Sequence, residues 1–448
     1  MTKMKNSGVE WIGEIPDDWE VSRVKNFLSE RTGGAWGDEK KNNANDIICL
    51  RIADFDYSSF KFNNSTELTI RNYNTDIIEK LLLKKDDILV EKSGGGDKTP
   101  VGRAVIFEKT YKALFANFMD RLRVRNNISA LFFLYVWTTY YDNKYMLPYV
   151  KQTTGIQNLD ITSILSGVFF PLPPKSTQLR IASYLDKKCS KIEETIQNQQ
   201  QVIEKLKAYK QSLINEAVTG KIKIQNGKVC GKYESYKDSG VEWIGKIPKG
   251  WEIPKIQYIS TISSGTTPNR SQPKYWNGDV NWIKTGELQN NRLFEVEEKI
   301  TQTAVEECSL QILPLNTVLI AMYGQGKTRG MTALLKTPST TNQACAALIV
   351  NSKKLSSDFL WHCLIGAYNA IRADAEGSGQ PNLNSENIKK FHITLPSSIE
   401  EQEYICNYLD KKCTAIDTAI EQKQNLIEKL TEYKKSLIYE CVTGKKEC

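Results

Sequence analysis

Histidine is nearly absent: His362 and His392 are the only two among 448 residues, and neither lies in a repeated motif. A chain so poor in imidazole has little material for histidine-based hydrolysis or for completing a zinc site. Cysteine occurs ten times but always singly, with no CxxC pair. Structural zinc is therefore not expected, and the thiols read as free side chains in a reducing cytoplasm. No stretch approaches the roughly 18 apolar residues that a membrane span requires. The opening MTKMKNSGVE also lacks the apolar core of a signal peptide. A strong excess of one charge is missing too. The 60 Lys and Arg against 52 Asp and Glu leave +8, a mild basic surplus that suits a polyanionic partner.

What is present is repetition. Ser7-Gly8-Val9-Glu10-Trp11-Ile12-Gly13 returns as Ser239-Gly240-Val241-Glu242-Trp243-Ile244-Gly245, a displacement of 232. Tyr184-Leu185-Asp186-Lys187-Lys188-Cys189 returns as Tyr408-Leu409-Asp410-Lys411-Lys412-Cys413, and Val218-Thr219-Gly220-Lys221 as Val442-Thr443-Gly444-Lys445, both displaced by 224. The chain is a tandem duplication whose copies share their ends and differ in their middles, so function is expected in the middles. Each middle, roughly 35–150 and 267–375, carries short β-type runs punctuated by Gly, Asn and Asp. Apolar stretches at 131–141 and 358–371 read as helices. Two α+β lobes are expected.

From Thr177 to Val218 the pattern becomes heptad. Leu185, Ile192, Gln199, Leu206 and Leu213 stand seven apart beside Cys189, Ile196, Ile203, Lys210 and Ala217. The second copy repeats the pattern with Leu409, Ile416, Lys423, Leu430 and Leu437 beside Cys413, Ile420, Ile427, Lys434 and Cys441. Matched polar interruptions favour a defined register. A helix of this length spans roughly 60 Å and needs a partner of equal length. The simplest closure pairs the two helices of the chain as an antiparallel coiled coil with a pseudo-twofold axis; a different protein or a second copy is the alternative partner. Gly220 to Ser239 reads as a polar linker long enough to return the chain.

The SGVEWIG frame, Ile15-Pro16 with Trp19-Glu20, Ile247-Pro248 with Trp251-Glu252, and the second-copy GTTPNR with Trp282-Ile283-Lys284-Thr285-Gly286-Glu287-Leu288 resemble the DNA-specificity subunit of type I restriction-modification systems. The helical YLDKK and the closing VTGK belong to the same resemblance, which covers essentially the whole chain. It implies target-recognition domains at 1–170 and 238–394, helical spacers at 171–219 and 395–448, and a linker at 220–237. It implies further that each recognition domain reads one half of a split double-stranded DNA site while the helices set the gap. Two copies of a methyltransferase (modification) subunit would dock, and a motor-nuclease restriction subunit would join them. S-adenosylmethionine, ATP and magnesium would belong to those partners, and no cofactor or metal to this chain. The setting is cytoplasmic. A bivalent DNA-binding scaffold acting without such partners is the alternative, and a self-sufficient enzyme the third class.

Candidate DNA contacts come from the glycine-rich turns. Leu89-Val90-Glu91-Lys92-Ser93-Gly94-Gly95-Gly96 aligns with Leu319-Ile320-Ala321-Met322-Tyr323-Gly324-Gln325-Gly326, and glycine lets backbone approach a ligand closely. Lys92, Ser93, Lys98 and Arg103 follow or form the first turn; Tyr323, Gln325, Lys327 and Arg329 the second. The cations suit phosphate or guanine, although a tight turn with solvated charges would look the same. Asn117, Gln157, Asn158, Asn342, Gln343, Gln380 and Asn382 are amides able to pair with adenine edges, and amides also cap turns. Thr266, Thr267, Asn269 and Arg270 of GTTPNR join them with Lys284, and Trp36 and Tyr275 are placed to stack or to pack underneath.

Catalytic motifs are weak. Ala321 to Thr328 satisfies a relaxed phosphate-loop pattern, but Arg329 to Leu335 reads as a strand where a helix N-terminus is required. The only double proline, Pro173-Pro174, is followed by Lys175 rather than by the aromatic of an adenine methyltransferase motif, and Glu297-Glu298-Lys299 has no suitable upstream acid for a nuclease centre. No catalytic residue is expected in this chain.

Overall fold

One sheet is built twice. The computed structural model describes residues 3–63, 67–153, 155–324, 326–351, 353–373 and 382–448. It divides into two compact units, Met1–Gln201 with Lys423–Cys448 and Val202–Gln422. In unit 1 the large sheet runs Ala104–Ile106, Ile88–Glu91, Met119–Val124, Leu28–Gly33, antiparallel throughout. Unit 2 has the same order in Thr332–Leu335, Val318–Ala321, Cys345–Val350 and Ser260–Ser264, again antiparallel, and adds Asn291–Leu293 as a parallel fifth strand. A smaller sheet accompanies each. It holds a parallel pair, Asp46–Leu50 with Ala113–Phe115 in unit 1 and Trp276–Ile283 with Thr340–Thr341 in unit 2. The middles, unlike in sequence, thus share one scaffold.

Strand pleating explains how so few residues specify that scaffold, because successive side chains face opposite sides. Ile88 and Val90 enter one core with the helix Ala130–Asp142, while Leu89 enters a second core with Cys49, Leu114 and Phe115. Val318 and Ile320 likewise join Phe359, Leu360 and Leu364 of the helix Ser357–Gly366, while Leu319 and Ala321 face the other way with Ile283. Both helices start on a serine cap, Ser129 and Ser356, whose hydroxyls accept from Phe132 and Phe359. The cap residues are held in turn by two fully buried glutamines. Gln178 accepts from Ser129 N at 2.9 Å and donates to Pro173 O; Gln402 accepts from Ser356 N at 2.9 Å and donates to Lys354 O.

Those glutamines sit in the first turns of the two long helices, Lys175–Val218 and Ile399–Val442. In unit 1, Leu185, Cys189, Ile192 and Ile196 share a core with Ile427, Leu430, Leu437 and Cys441. In unit 2, Leu206, Leu213 and Ala217 share one with Leu409, Cys413, Ile416 and Ile420, and Ile203 is buried as well. The polar interruptions of the heptads pair with one another. Within unit 1 Gln199 accepts from Lys423 at 3.0 Å and Glu193 meets Lys434 at 3.1 Å, so advancing along one helix means retreating along the other. Lys210 meets Asp417 at 2.6 Å in unit 2, the duplicated counterpart of Lys434 with Glu193. The helices are therefore antiparallel, with a register set by matched polar pairs.

The repeated end motifs lock onto the repeated frames. After Val442 the helix stops at Gly444, whose φ is +72°, with Lys445 N donating to Glu440 O at 2.9 Å. A Cβ on Gly444 would lie 2.3 Å from Pro16 Cδ, and one on Gly220 would lie 2.5 Å from Pro248 Cδ. The end of each long helix therefore closes against the Ile-Pro and Trp residues that open the other copy. Gly444→Ala should destabilise unit 1 by more than the roughly 1–3 kcal/mol that backbone strain costs alone. Gly8→Ala is the control, because Gly8 has φ +73° with open space where its Cβ would be. Equal losses of thermal stability in the two variants would refute the interlock.

Two expectations change. Residues 220–237 do not form a plain linker: Lys223–Gln225 pairs with Lys228–Gly231 across Asn226-Gly227, both at positive φ, as a tight hairpin turn requires. Nor are all thiols free, since Cys441 and Cys448 form a disulfide, bringing together two residues that the sequence separates by a helix end. Among the described residues no helix is long and apolar enough to cross a membrane.

Candidate nucleic-acid interface

All the glycine-rich turns emerge at one edge of the large sheet. In unit 1 the strand Leu28–Gly33 ends there, Ile88–Glu91 ends there, and Met119–Val124 begins there, with Gly33 opposite Asp120 and Glu91 opposite Met119. Gly34 N donates to Met119 O, Ala35 N to Phe115 O, and Lys92 N to Phe118 O, which ties three loops into one surface. The approach is close enough to require glycine. A Cβ on Gly34 would lie 2.3 Å from Ala116 O, and one on Gly265, at the matching place in unit 2, would lie 1.7 Å from Thr341 O. The loop 33–37 and GTTPNR are thus equivalent parts of the two sheet edges.

In unit 1 a fourth loop joins the edge. Ser93-Gly94 pairs with Asn158-Gln157 of the hairpin Val150–Thr153 with Ile156–Leu159, and Ser93 donates its hydroxyl to Asn158 Oδ1 at 2.6 Å. Gln157 is 6% exposed, and its amide oxygen accepts from Val101 N, so this side chain holds the turn rather than facing outward. Arg103 faces inward as well: it pairs with the buried Glu91 at 3.0 Å and lies 3.8 Å from the centre of the Tyr57 ring. Burial pushes the Glu91 carboxyl up and Arg103 only partly opposes it. Lys92 is half-buried against Asp120 at 2.8 Å. Lys98, Asn117 and Asn158 remain exposed on the edge. Trp36 is also exposed, with the Arg71 guanidinium 4.3 Å from its ring centre.

Unit 2 assembles its edge from different side chains. Thr267 donates to Gln343 Oε1 at 2.6 Å, joining GTTPNR to the turn before Cys345–Val350. Thr266 and Asn269 accept through their backbone carbonyls from Trp282 and Trp276. Arg270 lies over Trp276 at 3.9 Å and pairs with Glu298 at 2.6 Å; Lys284 meets the same carboxylate at 2.7 Å. The hydrogen bonds from Arg270 and Lys284 hold Glu298 below the usual carboxylate range, while its bond to Lys284 raises that ammonium. Asn342 accepts from Ala344 N, as a turn-capping amide does. Tyr323 and Lys327 are exposed, and Arg372 donates to the carbonyls of Arg329 and Gly326. Asn382 lies beside this turn, because Leu383 N donates to Met322 O. Tyr275 is turned to Glu307 at 2.7 Å. Gln325 and Gln380 lie outside the described residues.

The turn Met322 to Met331 leads from Val318–Ala321 into another strand, Thr332–Leu335, with no helix N-terminus after it to bind phosphate. Sequence reasoning missed Phe118, which stands 49% exposed at the centre of the unit 1 edge. Its only sequence signal is an aromatic next to Asn117 between two apolar runs. It also missed that strand Met119–Val124 carries Asp120, Arg121 and Arg123 where Cys345–Val350 carries Ala346, Ala347 and Ile349.

Known proteins resemble this chain in sequence and in fold. The family model described as "Type I restriction modification DNA specificity domain" matches residues 16–208 and 248–430, more than half of the chain. The specificity subunit of the MjaIX type I restriction enzyme of Methanocaldococcus jannaschii is 34% identical over 42% of this chain, and the chain spans 43% of that protein. The putative MjaX specificity subunit of the same organism is 25% identical over 97% of this chain and 95% of its own length. Among solved structures, a chain from work on complex assembly and conformational transition of the type I R-M system superposes with a TM-score of 0.71 at 13% identity, over 96% of this chain and 99% of that one. The crystal structure of the HsdS subunit from Thermoanaerobacter tengcongensis gives 0.50 at 13% identity, over 96% and 98%. These two show likeness of fold.

Proposed function

Because this chain belongs to the type I restriction-modification DNA-specificity family, we propose that each unit reads one half of a bipartite, asymmetric site in double-stranded DNA. The observation that carries the proposal is the pair of loop clusters at matching edges of twin sheets, alike in backbone and unlike in side chains. One scaffold supports two different half-sites because the loops carry the base contacts and the sheet only positions them. Lys98 and Lys327 serve phosphate, while Asn117, Asn158, Gln343 and Asn382 face base edges. The antiparallel helices set the unread gap and offer their outer faces to two modification subunits. Those partners flip out and methylate one adenine per half-site with S-adenosylmethionine, and a motor-nuclease subunit supplies restriction with ATP and magnesium. The chain itself contributes no catalytic group.

Methylation sequencing of the host with and without this gene tests the reading. One bipartite adenine motif should disappear with the gene; an unchanged set of methylated motifs would refute it. A finer test concerns salt. Lys98→Ala and Lys327→Ala should each weaken binding to all sequences alike and flatten the plot of log affinity against log salt by about one. Altered base preference with an unchanged slope would instead make these lysines base readers.

A further inference from the structure

The turn Ala116 to Met119 is held into the unit 1 edge by backbone hydrogen bonds to both neighbouring loops. Met119 N donates to Ala116 O, Gly34 N to Met119 O, Ala35 N to Phe115 O, and both Lys92 N and Ser93 N to Phe118 O. On both sides of its exposed tip the chain is buried, with Ala116 at 3% and Met119 at 0% exposure. Phe118 nevertheless points out of this clamp with half its surface in water, and among the described residues its ring stacks on no other ring or cation. These bonds fix the backbone of the turn, and the ring stands outside it. In unit 2 the position before Cys345–Val350 is Ala344, so the feature belongs to one half of the molecule.

We propose that Phe118 is a wedge: resting on the DNA-reading role proposed above, its ring inserts between two base pairs of the half-site read by unit 1. Rigid apolar side chains that enter a base step partly unstack it and kink the duplex. The polar neighbours Lys92, Ser93, Asn117 and Asn158 would then follow backbone and base edges on either side of the opened step. Pyrimidine–purine steps unstack most cheaply, so Phe118 would select a TA, CA or TG step at one position without any hydrogen bond to it. Phe118 is in this sense a specificity-determining residue that acts through deformation.

The test uses the full chain with duplexes carrying its methylated motif and 2-aminopurine placed in turn at each position of both half-sites. On binding, fluorescence should rise at one step of one half-site. Phe118→Ala should abolish that rise and weaken binding about tenfold, the loss of one base–aromatic stack, while Phe118→Trp retains both. Thermal unfolding of Phe118→Ala should match the parent, because the ring is half exposed. A rise that survives Phe118→Ala, or tight binding with no rise at any step, overturns the wedge but leaves DNA reading intact. Absence of binding to the motif by the parent chain overturns both.

Discussion

Exchanging residues 34–160 for the matching stretch of another specificity subunit is expected to replace one half of the methylated sequence and leave the other half unchanged. The boundaries follow from the edge rather than from the repeat. Gly34 is where the chain leaves the sheet, and its Cβ position is blocked by Ala116 O, so loop and turn must travel together. At the other end a cut near 150 would divide the hairpin Val150–Thr153 with Ile156–Leu159 and separate Asn158 from Ser93. Beyond Asp160 begins the helix Ile161–Gly167, capped by that aspartate, which leads back to the frame. The effect is all or nothing for one half-site, because every candidate contact of unit 1 lies inside the exchanged segment. Methylation sequencing of a host carrying the hybrid reads the result. Change in both halves, or in neither, would mean that the units do not read independently.

Arg121→Ala is expected to loosen unit 1 by about 3–5 kcal/mol, the scale of truncating a large, fully buried side chain to alanine. Arg121 is 1% exposed and donates to Leu82 O at 3.1 Å, Lys80 O at 3.2 Å and Thr32 Oγ1 at 3.3 Å, and it pairs with Glu30. Arg123 shares Glu30 at 2.7 Å and grips Asp87 with two bonds of 2.7 and 2.8 Å. Truncation leaves the partly buried carbonyls of Lys80 and Leu82 without this donor and opens a void between the sheet and the helix Thr75–Leu81. Ala347 occupies the matching place in unit 2, in the apolar strand Cys345–Val350, so alanine is incompatible only with the surroundings that unit 1 has built. Because the chain holds two units, a single unfolding free energy would mislead. Hydrogen exchange separates them: Ile88–Glu91 and Met119–Val124 should lose protection while Val318–Ala321 and Cys345–Val350 keep theirs. Unchanged protection at Met119–Val124 would show that the network adds nothing to stability.

Much of the architecture was legible because it is written in local periodicity. The heptads placed the first long helix to within two residues of its start, and the core strands fell on the apolar runs, since pleating and helical pitch act over neighbouring residues. The apolar run Val101 to Phe107 yields only a short strand, Ala104–Ile106, because Gly102 at φ +116° and the contact of Arg103 with Glu91 belong to the turn. The glycine-rich turns were also found, through residues that permit close backbone approach. Which of their side chains face outward was not legible. Arg103 and Lys98 are both cations after the same glycines, yet Arg103 meets a buried carboxylate brought from another strand position while Lys98 meets water.

The sequence by itself determined that the chain is duplicated, that its copies end in heptad helices and that the seams carry matched polar breaks. Each of these is a pattern of spacing, readable wherever its residues stand along the chain. Only the tertiary structure decided that VTGK of one copy closes on the Ile-Pro frame of the other, that Gln199 meets Lys423, and that unlike middles fold on one sheet. It also decided that Gln157 is buried while Phe118 is exposed. Such pairings join residues far apart in the chain, and burial depends on what packs above a residue rather than on the residue itself. Spacing therefore specified the frame, and packing chose which side chains were left exposed at the edge.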